Sequence, residues 1–245
     1  MCVDGIGNYR LCKAVCRSKT CQLLAEKPFL RHNVLSMRIL ALSDQVVDRI
    51  YPLVSQGHFG AVEMILGCGD LPYSYLENIV SLLNVPMFYV PGNHDPVDNP
   101  PFAASHAEGG TNLDLKSKLS KGLLLAGFGG CNRYRPDGVN QYTQSEALER
   151  AARLLPALLW NRIRYGRALD VLITHSPAYG IHDQEEQAHR GLRAINWVLS
   201  WARPRYHFHG HTHFFRNNLE PSVTRLGPTT IMNVFPYKLV ELQHV

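Results

Sequence analysis

Long apolar runs are missing from this chain of 245 residues: none approaches the roughly 18 unbroken apolar residues of a membrane helix, and none near the N-terminus resembles a signal-peptide core. Cysteine is sparse and its spacing is wrong for a metal knuckle. Of the six, Cys2, Cys12, Cys16 and Cys21 lie in the first 36 residues without a Cys-x-x-Cys pair. Cys68 and Cys131 sit among apolar or glycine neighbours and read as small buried thiols. All six are read as reduced, which suits a cytoplasmic setting. There is no Gly-Lys-[Ser/Thr] phosphate loop, which disfavours an NTPase. Gly127-Phe128-Gly129-Gly130 fails the dinucleotide fingerprint at its last glycine and reads as a turn lining a cleft. Net charge is also small where it would matter. The formal +5 is concentrated in residues 1–36, where six Lys/Arg stand against two Asp/Glu, so that +4 belongs to this segment and +1 to the rest. The body makes no electrostatic case for nucleic acid or another polyanion.

What is present is a composition that folds, 45% apolar and 18% charged, with enough chain for one large core. Residues 1–36 show no period and no apolar stripe. They read as a leader outside the fold, whether a disordered tail, a transit-like segment or an over-extended start, and 37–245 as the domain. From Met37 onward, apolar runs at 37–42, 61–66, 85–90, 123–128 and 170–173 read as strands. Amphipathic stretches at 46–54, 75–83 and 191–201 read as helices, so the chain is α/β. The clearest helix covers 145–165, opened by Thr143 and Glu146 as a capping box and bent at Pro156. Short runs at 206–209, 230–234 and 238–242 read as closing strands.

Five polar blocks stand where apolar runs stop: Asp44; Asp70; Gly92-Asn93-His94-Asp95; His175; and Gly210-His211-Thr212-His213. In an α/β sheet the carboxyl ends of strands form the ligand crevice, so residues scattered in sequence converge there. Carboxylates, an amide oxygen and imidazoles, without thiolates, suit Mn, Fe or Zn in a catalytic site. These blocks resemble the calcineurin-like metallophosphoesterases, whose pattern is D-x-H, G-D, G-N-H-[DE], a lone H and G-H-x-H. The resemblance runs from Met37 to Val245 and includes Thr174-His175-Ser176-Pro177.

The resemblance implies a four-layer αββα sandwich with few insertions, and hydrolysis of a phosphate ester, a phosphodiester before a monoester, at two divalent metal ions, Mn first and Fe or Zn next. Asp70 would bridge the ions, Asp44 and His213 would hold the first, and Asn93, His175 and His211 the second. A hydroxide bridging the pair would be the nucleophile, and His94 the general acid, its ring oriented by Asp95. His189, Arg190 and Arg133 are candidate substrate contacts, with His182 on the same loop as His189 and with Tyr134 and Arg135 beside Arg133. His207 and His209 share a strand face with His211 and His213, but precede the glycine and read as core residues. His58, His106 and His244 read as surface or loop residues.

One block departs from the pattern. The first reads Asp44-Gln45-Val46, so a valine stands where the family has a histidine ligand, and the first ion is expected to bind more weakly. The rival reading is a non-catalytic scaffold on the same fold with an impaired first site. Retention of Asn93, His94 and three ligand histidines speaks against it. A mononuclear zinc hydrolase with His-x-His-x-Asp-His is a weak rival, because Phe214-Phe215 follows His213.

Overall fold

A strand whose residues are all apolar needs cover on both faces, and the two large sheets here provide each other with one cover and take the other from helices. The computed structural model describes residues 35–95, 106–213 and 221–244; the leader lies almost entirely outside the described residues. One sheet is built from β1 (Leu35–Leu42), β2 (Val62–Gly67), β3 (Met87–Tyr89), β4 (Gly110–Asn112) and β13 (Tyr237–His244), in the order β13-β1-β2-β3-β4. The other uses β5 (Ser117–Ser120), β6 (Leu123–Phe128), β9 (Val171–Thr174), β10 (Tyr206–His209), β11 (Val223–Leu226) and β12 (Thr229–Asn233), in the order β11-β12-β10-β9-β6-β5. A short ribbon pairs β7 (Cys131–Asn132) with β8 (Gln141–Tyr142).

Strand periodicity assigns alternate residues to different layers. Ile39 and Ala41 of β1, Met64 and Leu66 of β2, Val171 and Ile173 of β9 and Phe208 of β10 meet in the core between the sheets. Their neighbours Leu40, Leu42 and Ile65 turn outward onto α1 (Ile50–Ser55) and α2 (Tyr73–Leu83). Ala126, Phe128 and Leu172 turn outward from the second sheet onto α3 (Gln144–Ala152), α4 (Leu155–Tyr165) and α5 (Arg193–Ala202). The result is the four-layer αββα sandwich.

The long helix expected over 145–165 is two helices. The capping box at Thr143 and Glu146 opens the first, but the chain breaks at Arg153-Leu154 and Pro156 lies in the first turn of α4. Proline lacks the N–H that a helix interior needs, whereas a first turn leaves that donor unused, so it starts a helix here and bends none. The helix expected over 46–54 begins only at Ile50, which leaves Val46 on an exposed turn.

Parallel pairing sets the site. β1, β2, β3 and β4 run parallel in sequence order, as do β6, β9, β10 and β12, so the carboxyl ends within each sheet share an edge. Bonds join the two edges: Gly130 N–H, after β6, donates to the Pro91 carbonyl, after β3, at 2.8 Å, and His211 N–H, after β10, to Asp44 Oδ2, after β1, at 2.8 Å.

Candidate metal centre

Each of the five polar blocks leaves its strand by a sharp turn. Asp44, Asp70 and His211 all adopt left-handed backbone, with φ of 64°, 56° and 65°. Such angles cost an ordinary residue on the order of 1 kcal/mol or more, and they persist where surrounding bonds hold them. The bonds are visible. His211 N–H donates to Asp44 Oδ2 at 2.8 Å, and His94 N–H to Asp70 Oδ1 at 2.7 Å. Gly92 is required beside them, because a Cβ there would stand 2.0 Å from Asp70 Oδ1.

The side chains then converge. Nε2 of His175 lies 3.0 Å from Asn93 Oδ1, 3.1 Å from His211 Nδ1 and 3.3 Å from Asp70 Oδ2. One donor atom from each of Asp44, Asp70, His175 and His211 falls within 4.8 Å of all the others. An ion with bonds of about 2.1 Å at right angles holds neighbouring donors about 3.0 Å apart, so these distances suit a metal. Both imidazoles are oriented for it. Nδ1 of His175 bonds the Cys68 carbonyl at 2.8 Å and Nε2 of His211 bonds the Ala188 carbonyl at 2.7 Å, which leaves the opposite nitrogen of each facing the cluster.

Electrostatics agrees with geometry. Burial works against charge on His175, yet the adjacent Asp70 carboxylate overcomes it and raises the imidazole to about 10. Burial likewise pushes Asp70 upward, and the His175 cation pulls it well below the usual carboxylate range. Burial raises Asp44. The cluster thus demands positive charge. A divalent ion held by these residues would meet that demand, with His175 as a neutral imidazole ligand.

The Asp44 and His213 side is built differently. Asp44 is buried, but His213 is half exposed, with Nε2 3.9 Å from Asp44 Oδ1 and its ring stacked on Phe235 at 4.5 Å. Val46 is 40% exposed and supplies no ligand atom, and Gln45 is also exposed.

Around the cluster lies a cavity of about 430 Å³ lined by Asp44, Asp70, Asn93, His94, His211 and His213, together with Tyr134, Arg135 and His189. His94 is exposed here. Asp95 does not orient its ring. The Asp95 oxygens accept backbone N–H bonds from Gly92 (2.7 Å), Asp70 (2.9 Å) and Leu71 (3.0 Å), so this carboxylate ties together the turns that present Asp70 and Asn93. Burial holds it up at about 6 despite those donors.

The substrate candidates divide. His189 lines the cavity, its ring 5.2 Å from that of His211, and its Nδ1 pairs with Glu186. Arg133 turns away to Glu146 at 2.9 Å, and Arg190 to the Glu185 carbonyl at 2.9 Å, so neither faces the metal cluster. Arg135, two residues beyond Arg133, does face it. His182 is buried, with Nδ1 2.9 Å from His209 Nε2 and Nε2 2.8 Å from Thr224 Oγ1, at the start of the loop that carries Ala188 and His189 and outside the cavity lining. His207 and His209 are core residues. The carbonyls of Cys68 and Ala188 and the Tyr134 hydroxyl carried no residue-type signal, since their part depends on where backbone and loop fall.

A family model described as calcineurin-like phosphoesterase matches residues 37–215. Among solved structures, one shares 15% identity, covering 86% of this chain and 100% of its own, with a TM-score of 0.58. Another, the crystal structure of TT1561 of Thermus thermophilus, shares 17% identity, covering 82% of this chain and 89% of its own, with a TM-score of 0.54. At these identities the likeness is one of fold. No curated protein matches at a significant level. No helix among the described residues is long and apolar enough to cross a membrane. The family match and the donor cluster at the joined sheet edges agree: the chain belongs to the calcineurin-like phosphoesterases and is a metal-dependent phosphoester hydrolase.

Proposed function

We propose that the protein hydrolyses phosphodiesters at a pair of divalent ions, manganese first. The observation that carries this reading is the convergence of Asp70, Asn93, His175 and His211 beside an exposed His94. Asp70 would be shared by both ions, Asn93, His175 and His211 would hold one, and Asp44 and His213 the other. Bound there, the ions supply Lewis acidity and an activated water.

The chain's own groups do the rest. Arg135, on the cavity wall, binds the phosphoryl oxygens, and His189 lines the same cavity. His94, exposed and anchored through its backbone to Asp70, hands a proton to the departing oxygen. The preference for diesters rests on space. A second cavity of about 520 Å³, lined by Leu71, Pro72, Tyr73, Ser74 and Glu77, shares Asp70 and His94 with the first. His94 thus stands between two spaces, one for each arm of a diester. Residues 37–245 form the catalytic domain in this reading. The buried, free thiols of Cys68 and Cys131 suit a reducing, cytoplasmic setting.

The test is metal content of the purified protein together with turnover of bis-nitrophenyl phosphate and nitrophenyl phosphate with added manganese. Bound metal with faster diester turnover is expected. Monoester turnover that exceeds it would overturn the diester preference, and the absence of both metal and turnover would restore the scaffold reading.

A further inference from the structure

An asparagine ligand has a weakness that a carboxylate lacks: one end of its amide binds a cation and the other repels it. Asn93 must therefore be held one way round. Its Oδ1 faces Nε2 of His175 at 3.0 Å, and its Nδ2 donates to the Tyr134 hydroxyl at 3.2 Å, 41 residues further along the chain. We propose that Tyr134 is a positioning residue of the metal centre, whose hydroxyl accepts the amide N–H and so fixes the amide oxygen toward the ion. This rests on the phosphoesterase reading of the site.

The loop that carries Tyr134 is built to hold that hydroxyl still. The buried Gln141 side chain accepts N–H bonds from Tyr134 (3.2 Å) and Arg135 (3.0 Å) at one oxygen. Next to it, Asn140 Nδ2 donates to the Gly92 carbonyl at 2.8 Å, and Gly130 N–H to the Pro91 carbonyl at 2.8 Å. The Tyr134 loop is thereby fastened to the residues immediately before Asn93. Two glycines permit this closeness: a Cβ at Gly130 would stand 2.3 Å from the Asn140 carbonyl oxygen, and one at Gly138 would stand 2.1 Å from the Gln141 amide. A phenol serves better than an aliphatic hydroxyl here, because its ring also lies under the Arg135 guanidinium, at 5.5 Å from the ring centroid.

The experiment is a double-mutant cycle read by manganese affinity, measured by calorimetry on metal-stripped full-length protein. Tyr134→Phe keeps the ring and removes the acceptor. It should weaken one manganese site about tenfold, the lower end of what loss of a ligand's orienting partner costs. In an Asn93→Asp background the two ligand oxygens are equivalent, so orientation no longer matters and Tyr134→Phe should change affinity less than about threefold. Equal losses in both backgrounds would show a general structural role and overturn the proposal, as would an unchanged affinity in the natural background. Wild-type protein that neither binds manganese nor hydrolyses an ester would overturn the phosphoesterase reading instead, an outcome visible before any variant is made.

Discussion

The two halves of the metal cradle come from the same sheet edges and the same kinds of residue, yet one is finished and the other is not. On the Asn93, His175 and His211 side every donor is buried, and each has its opposite atom bonded to a carbonyl or hydroxyl. On the Asp44 and His213 side the imidazole is half exposed, and the neighbouring turn offers Val46. Affinity follows orientation as much as ligand count. A buried donor with its partner in place loses little freedom on binding, and a first turn that offers a valine gives its ion one donor fewer.

The largest effect expected from this contrast lies on the finished side. His175→Ala and Asn93→Ala should each weaken one ion and lower turnover of every ester alike, by more than about 10²-fold, because the attacking water and the phosphate clamp both depend on the pair. Metal analysis beside kcat/KM on nitrophenyl and alkyl diesters checks this, and selective loss on one leaving group would contradict it. His94→Ala, one residue away, should spare the metals. Its loss should reach about 10²–10⁴-fold on alkyl esters and stay small on nitrophenyl esters, whose leaving group needs no proton. Equal ratios for Asn93→Ala and His94→Ala across leaving groups would remove His94 from the acid's role.

The unfinished side should show the reverse behaviour, with gain in place of loss. Titration of the natural protein should give two unequal sites, and Val46→His should tighten the weaker one, by about tenfold if the new imidazole reaches the ion. Two equally tight sites, indifferent to this substitution, would erase the contrast. The smallest expected effect is on acid stability. Burial holds His182 down at about 4, against an ordinary value of 6.5, while it bonds His209 and Thr224 at the start of the loop that orients His211. The unfolded chain takes up that proton first. The contribution of His182 is therefore complete above about pH 6.5 and is lost as pH falls from there through about 4. Melting temperatures across this range should fall more steeply for the natural protein than for a His182→Gln variant that folds.

Much of the site was legible because its blocks sit at strand ends, where a run of apolar residues stops at a polar one. Asp44, Asp70, Asn93, His175, His211 and His213 need only that signal and the residue types to be named as candidates. The strands at 123–128 and 206–209 were legible to the residue for the same reason. The weaker elements were not. The strands Gly110–Asn112, Ser117–Ser120 and Val223–Leu226 carry few buried apolar residues, so pairing with a neighbour makes them strands and their own pattern does not. Loop side chains behaved likewise: Arg133 and Arg135 are the same residue type two positions apart, and only the path of the Gln141-pinned loop sends one to Glu146 and the other to the metal cavity.

The sequence by itself therefore determined the α/β alternation, the polar blocks at the strand ends and, through its resemblance, the family, because each follows from residue type at a position that local pattern fixes. The tertiary structure alone decided which nitrogen of each histidine faces the cluster, that Asp95 braces turns and leaves the His94 ring alone, that His182 is buried against His209 and Thr224, and that Tyr134 meets Asn93. Those are relations between atoms far apart in the chain. They are set by how two sheets and their loops close on one another, and local sequence does not encode the distance between them.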